Sequence, residues 1–280
     1  MTEETAEPGS LERTPTSPQK RKNTEKTPAF RVVEVIAVPF LNAIAKLEMH
    51  HTEKLPVSGP FVLSPNHYSN IDPMIMALAV WKLGRAPRFL AKASLFRVPV
   101  VGFALRKIGQ IPVDRAGAGR LNAPIVAANL LVEHEQGVIV YPEGTLTRDP
   151  DLWPMRGKTG AVRIALDHGI PLIPAAHWGT QAILPRYSKK VSLFPRKTVR
   201  IVFGDPVDLD DLRSAPIDQK ALNEATDRLM AAITELLEQL RGETAPQERW
   251  NPAAHQQTEY GKLKQTGPAT DSAKPTKGTE

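Results

Sequence analysis

The chain has 280 residues, 41% of them hydrophobic and 24% charged, which is enough to bury one core of ordinary size. It contains no cysteine, which excludes thiol nucleophiles, disulfides and thiolate-bound zinc. A net charge of +6 admits nucleic acid, anionic lipid or a phosphorylated substrate as partner, and charge alone does not choose among them.

In chain order, residues 1–28 are rich in Thr, Glu, Lys and Pro without apolar periodicity, and residues 242–280 read the same way. Both tails are expected to be disordered, leaving one domain over residues 29–241. Each tail carries five acidic and five basic residues, so the net charge belongs to the core and the tails are poor nucleic-acid arms. No apolar signal-peptide core opens the chain, which points to the cytoplasm or the cytoplasmic face of the cell membrane. The most apolar stretch, residues 30–47, is interrupted by Arg31, Glu34, Pro39, Asn42 and Lys46 and is too broken to span a bilayer. It reads either as a helix lying on a membrane surface, with peripheral or monotopic attachment, or as a helix packed over the core. Pro39 kinks either version.

β-like runs follow at residues 61–64, 88–92, 109–113, 137–141, 172–176 and 199–203. Helical stretches fall at 73–83, 95–107, 121–134 and 159–167, and a long amphipathic helix at 221–240 closes the core. This alternation is that of an α/β domain. Polar residues gather directly after three of the β runs, at 66–72, 114–115 and 143–148. Ligands of open α/β sheets bind at strand carboxyl ends, so the three clusters can face one cleft.

The first cluster places His67 and Asp72 five positions apart. On a regular helix that spacing turns through about 140° and separates the two. They meet only if His67 lies in a loop and Asp72 opens the next helix, where Pro73 makes Asp72 the natural N-cap. Asp72 is then either a plain helix cap beside a loop histidine, or the group that fixes the tautomer of His67. In the second case the other imidazole nitrogen takes a proton from a substrate hydroxyl.

Three more blocks follow: Gly109-x-Ile111-x-Val113-Asp114-Arg115, Tyr141-Pro142-Glu143-Gly144-Thr145, and Ile173-Pro174. With Asn66-His67 and Asp72, in this order and over about residues 60–180, they resemble the glycerophospholipid acyltransferase family, in particular its bacterial 1-acylglycerol-3-phosphate acyltransferases. The resemblance implies a single α/β domain with a mixed central sheet flanked by helices, and a membrane-associating helix at residues 30–47.

It further implies transfer of an acyl group from a thioester, acyl-CoA or acyl carrier protein, to the free hydroxyl of 1-acylglycerol 3-phosphate (lysophosphatidate), giving phosphatidate without a covalent acyl-enzyme. The absence of cysteine and of a Gly-x-Ser-x-Gly elbow agrees with that. By the same resemblance His67 is the base and Asp72 its support, while Asn66, Gly144 and Thr145 belong to the substrate site. Arg115 grips the acceptor's phosphate with its planar guanidinium, or pairs with Asp114 at the surface. Glu143 holds the glycerol hydroxyl. Much of the family has an arginine directly after Gly-Thr, whereas this chain has Leu146-Thr147-Arg148. Arg148 is the candidate for the missing phosphate contact, with Arg156 and Lys158 next.

Backbone N–H groups near His67 or Gly144 are the candidate oxyanion donors. Ile173-Pro174 lines the acyl side of the cleft or is simply a buried strand. His177 is assigned to packing, and neither a metal nor a cofactor is expected. Two rivals share these residues: acylation of glycerol 3-phosphate or a lysophospholipid, and a non-catalytic lipid-binding protein. Nucleic-acid binding ranks last, since aromatic residues make up only 6%.

Overall fold

The computed structural model describes residues 28–113, 134–214 and 216–258. The expected tail up to residue 27, Asp114 and Arg115, nearly all of the helix expected at 121–134, and residues 259–280 lie outside the described residues.

The strands are β1 (Ala45–His50), β2 (Phe61–Pro65), β3 (Leu90–Lys92), β4 (Ile111–Val113), β5 (Gly137–Ile139), β6 (Leu172–Trp178) and β7 (Lys197–Phe203). Five of them form one mixed sheet in the order β1-β7-β6-β2-β5, in which only β6 and β7 pair antiparallel. β3 and β4 make a parallel pair that continues past β5 through the Phe89–Ile139 bridge. Each expected β run becomes a strand, with bounds within about two residues, the usual uncertainty of strand ends.

β1 was not expected. The sequence Ala45-Lys46-Leu47-Glu48-Met49 alternates apolar and charged residues, the period of a half-buried strand, and β1 sits at the sheet edge beside β7. The apolar stretch 30–47 is therefore split: helix α1 (Pro28–Ile44) ends where that alternation begins.

The longer helices among the described residues are, after α1, α2 (Asp72–Lys82), α3 (Pro99–Lys107), α4 (Gly160–His168) and α5 (Gln219–Arg241), with a single helical turn at Asp210–Arg213 before the last. The helix expected over 95–107 is broken into a 3-10 turn, Ala93–Arg97, and α3. Val98 lies between them in an extended conformation, as the residue before a proline prefers.

Successive side chains of the central strands enter opposite cores, as the pleat requires. Val62, Val138 and Leu172 pack against α4 and the first half of α5. Phe61, Leu63, Ile173 and Ala175 pack against α1 and α2 on the other face. α1 takes part through Leu41 and Ile44, while Val32, Val35, Ile36 and Phe40, spaced to fall on one other face, stay exposed. The helix thus covers the core with one apolar face and presents a second to solvent. No described helix is long and apolar enough to cross a membrane.

Of the tail expected from residue 242, residues 242–258 are described, and they pack on the domain. Gly242 ends α5 in the left-handed conformation, and the chain then folds back along the domain. Arg249 binds Asp227 at 2.8 Å, the carbonyl of Trp250 accepts from the Arg156 amide, and the Trp250 ring stacks on His255. Polar bonds, one aromatic stack and two isolated apolar contacts, Ala245 on the core and the buried Pro252, hold this segment, which leaves no apolar periodicity in its sequence.

Candidate active site

β2 and β5 are parallel neighbours, and β2 and β6 are parallel neighbours on the other side. The three strands therefore deliver their carboxyl ends to one rim: Asn66 to Asp72 after β2, Glu143 to Arg148 after β5, and His177 to Thr180 at the end of β6. Two of the three expected clusters meet there. The third, at 114–115, lies outside the described residues, and the end of β6 supplies a cluster that the sequence did not mark.

His67 lies in the loop and Asp72 is the first residue of α2. Nδ1 of His67 lies 3.0 Å from Oδ2 of Asp72. The same oxygen accepts from the amides of Tyr68 (2.8 Å) and Ser69 (2.7 Å), while Oδ1 accepts from the Thr180 hydroxyl at 2.6 Å. Asp72 is therefore not the expected helix cap: Ile71 holds the N-cap position without a side-chain cap bond, and the Asp72 carboxylate turns back onto the loop before its own helix. The side chain is 0% exposed. Burial pushes its carboxyl up, but the imidazoles of His177 and His67 and the hydrogen bonds from His67 and Thr180 outweigh that and hold it below the usual carboxylate range. An ionised carboxylate only accepts, so Nδ1 of His67 carries a proton, and in the neutral imidazole Nε2 is the nitrogen with the lone pair.

The loop that carries His67 is clamped through its backbone. The His67 amide donates to Oε1 of Glu143 at 3.1 Å, and its carbonyl accepts from the Thr147 amide at 2.7 Å. The imidazole stacks on Tyr141, ring centroids 4.1 Å apart. Behind the pair, Asn66 and His177 join β2 to β6. Asn66 Oδ1 accepts from the His177 amide at 2.9 Å, and its Nδ2 donates to the His177 carbonyl at 3.2 Å. The His177 ring lies within hydrogen-bond distance of the Tyr68 hydroxyl and the Asn66 carbonyl, and burial lowers its pKa so that it stays neutral.

Several sequence candidates therefore take positions other than those expected. Asn66 spends its amide on the His177 backbone. Glu143 is 0% exposed and uses both oxygens on amides, those of His67 and Met155, so it braces the base instead of presenting a free carboxylate. Its burial pushes the carboxyl up to about 8, against the lowering effect of those two N–H donors. Arg148, 1% exposed, directs its guanidinium to the Tyr187 hydroxyl at 2.8 Å. It anchors the loop instead of offering a phosphate contact.

Gly144 adopts φ +70, and a side chain there would meet the Lys158 stem at 3.3 Å. Lys158 thus lies over the Glu143-Gly144 turn, next to the half-buried Thr145. The amides of His67, Tyr68, Ser69 and Gly144 are all engaged within the protein, so none of these four is free to serve as an oxyanion donor. Thr180 and His177 were missed as site residues. Neither stands in a recognisable motif, and both reach Asp72 only through the pairing of β6 with β2.

Beside Asp72, an apolar groove of about 230 Å³ runs between α1, α2 and α3, lined by Phe30, Leu41, Met74, Trp81, Phe89 and Leu105 among others. Its near end includes Pro73, the neighbour of the dyad aspartate. A partly exposed histidine on a buried aspartate at the carboxyl ends of parallel strands, with an adjoining apolar groove and no cysteine, defines the site as that of an acyl-transfer domain.

Comparison with known proteins agrees. The Acyltransferase family model matches residues 46–178. A 1-acyl-sn-glycerol-3-phosphate acyltransferase of Bacillus subtilis is 31% identical over 198 residues, spanning 69% of this chain and 91% of the relative. A chloroplastic enzyme of the same name from Brassica napus is 30% identical over 163 residues; the match covers 58% of this chain and 45% of that longer protein. The crystal structure of the 1-acyl-sn-glycerophosphate acyltransferase PlsC from Thermotoga maritima superposes with a TM-score of 0.56 at 22% identity, covering 77% of this chain and 81% of that one, and shares the fold. The chain belongs to the 1-acyl-sn-glycerol-3-phosphate acyltransferase family.

Proposed function

We propose that the protein transfers a fatty acyl group from an acyl thioester to the free hydroxyl of 1-acylglycerol 3-phosphate, forming phosphatidate at the cytoplasmic surface of a membrane. The observation that carries this reading is the 3.0 Å contact between His67 Nδ1 and an Asp72 carboxylate held by four donors. Nε2 of His67 accepts the hydroxyl proton as the oxygen attacks the thioester carbonyl. Asp72 stabilises the imidazolium that results. Collapse of the tetrahedral intermediate breaks the C–S bond, and the imidazolium returns its proton to the departing thiolate, so the histidine ends as it began.

The apolar groove between α1, α2 and α3 is suited to an acyl chain, and the exposed face of α1 to the bilayer from which such substrates come. Lys158 over the Glu143-Gly144 turn, together with the exposed Arg156, supplies positive charge that a phosphate monoester needs, and Arg115 stays a candidate on the family resemblance alone. The donor is acyl-CoA or acyl carrier protein, the thioesters available to such an enzyme.

The test incubates the protein and its His67→Ala variant with lysophosphatidate vesicles and long-chain acyl-CoA, following phosphatidate and free thiol. Phosphatidate from the parent at a rate at least ~100-fold above the variant supports the reading. Thiol release without phosphatidate redirects it to another acceptor. If neither CoA nor carrier-protein donors yield thiol, the reading fails.

A further inference from the structure

The stretch from β3 to β4 carries a surface that the acyl-transfer chemistry does not use. Val100 is 80% exposed and Phe103 60%, and Leu95, Val98 and Val101 also face solvent. Five large apolar side chains within nine residues form a patch of the kind that soluble surfaces rarely leave uncovered. It adjoins α1, since α1 and α3 are in contact and line the same apolar groove from two sides. Glu34 of α1 lines that groove, but the segment that carries the patch is itself purely basic. From Pro73 to Val113 the chain has no acidic residue and seven basic ones, among them Arg97, Arg106 and Lys107, which flank the exposed apolar side chains.

We propose that the 3-10 turn Ala93–Arg97 and helix α3 form a second membrane-inserting element, separate from α1 and selective for bilayers that contain anionic lipid. This rests on the reading that the protein works at a membrane surface, and it adds where and to which lipids the protein attaches. Val100 and Phe103 enter the headgroup–acyl boundary. Arg97, Arg106 and Lys107 remain at headgroup level, where each gains from lipid phosphate. With α1 on the other side, the groove beside the dyad then opens toward the bilayer. An acidic protein is the other class of partner that the charge would fit. The exposed apolar area shared with α1 favours the bilayer.

The experiment is co-sedimentation of the full chain with vesicles of phosphatidylcholine alone and of phosphatidylcholine mixed with an equal amount of phosphatidylglycerol. It compares the parent with Val100→Asp/Phe103→Asp, Arg106→Gln/Lys107→Gln and Val35→Asp/Ile36→Asp. Turnover of substrates with chains short enough to stay dissolved controls for folding. The α3 apolar pair is expected to lower the partition coefficient onto mixed vesicles by ~10-fold or more while keeping that soluble turnover. The basic pair is expected to abolish the preference for mixed over neutral vesicles and its sensitivity to salt.

Binding lost only in the α1 variant, with both α3 variants like the parent, overturns this inference and leaves the membrane reading standing. A parent that binds neither vesicle overturns both. Loss of turnover with a carrier-protein donor in the basic variant, with vesicle binding unchanged, assigns the patch to a protein partner and overturns it as well.

Discussion

The hydroxyl of Thr180 donates to Oδ1 of Asp72 at 2.6 Å, although the two residues are 108 positions apart. Thr180 thereby occupies the carboxylate oxygen that His67 does not use, and it fixes the rotation of the group that orients the base. Thr180→Val keeps the shape and removes the donor. A hydrogen bond to a charged group contributes about 1.5–3 kcal/mol, so the variant is expected to lose stability on that scale in denaturant titration. Its kcat is expected to drop about tenfold, the rate equivalent of roughly 1.4 kcal/mol, with KM little changed. The loss should grow toward acid pH, because Asp72 without this donor is easier to protonate. An unchanged pH profile would remove Thr180 from the positioning of the dyad.

Asp72→Asn separates charge from geometry. The amide has one acceptor where the carboxylate serves His67, Tyr68, Ser69 and Thr180 with two. Its NH₂ group also favours the tautomer in which Nε2 bears the proton, the wrong form for a base. The expected loss in kcat is on the order of 10³ to 10⁴, the scale known for this change in hydrolytic triads. Since His67→Ala removes the same function, the double variant should be no slower than the worse single one, and additive losses would argue that the two act separately.

The motif blocks were legible because their residues are local and of unusual type: the histidine and aspartate, the Tyr-Pro-Glu-Gly-Thr turn, and the β runs around them. Which partner each takes was not legible. Glu143 reads as a substrate ligand until the parallel pairing of β2 with β5 places it under the His67 amide. Arg148 reads as a phosphate ligand until Tyr187, 39 positions on, closes over it. His177 reads as packing until β6 pairs with β2 and brings it to Asn66 and Tyr68. These are non-local contacts set by strand order, which periodicity does not encode. The segment 243–258 escaped because hydrogen bonds hold it instead of a buried apolar face.

Glu143 makes a prediction about stability and pH. Its carboxyl titrates near 8 in the folded chain and near 4.5 when unfolded. Between these values the unfolded chain has lost a proton that the folded chain retains, so stability falls as pH rises through the window, at no more than about 1.4 kcal/mol per pH unit. His177 acts in the opposite sense. Folded, it stays neutral below its ordinary value of 6.5, so stability is lost as pH falls beneath that point. In the parent the two slopes oppose each other below pH 6.5, and Glu143 acts without that opposition above it. Glu143→Gln should remove this contribution to the decline above 6.5 and steepen the fall below it. Urea titrations at several pH values read both slopes. Because Gln offers a single acceptor for two amides, the variant should also lose about 1–3 kcal/mol overall.

Tyr141 offers the last test, because its ring and its hydroxyl have different surroundings. The ring stacks on His67 at 4.1 Å and lies nearly parallel to Phe89. The hydroxyl is buried and has no hydrogen-bond partner among the described residues; burial and the nearby charge of Asp72 keep it protonated. A buried polar atom without a partner costs about 1–3 kcal/mol, so Tyr141→Phe should raise stability by about 1 kcal/mol or more and leave kcat unchanged. Tyr141→Ala removes the surface on which the imidazole rests and should lower kcat through loss of its orientation, with Phe restoring what Ala loses. Thermal unfolding and steady-state rates on the two variants separate these contributions. If the Phe variant gains stability but loses turnover, the hydroxyl meets substrate, because the stack that Phe preserves would not by itself sustain the rate.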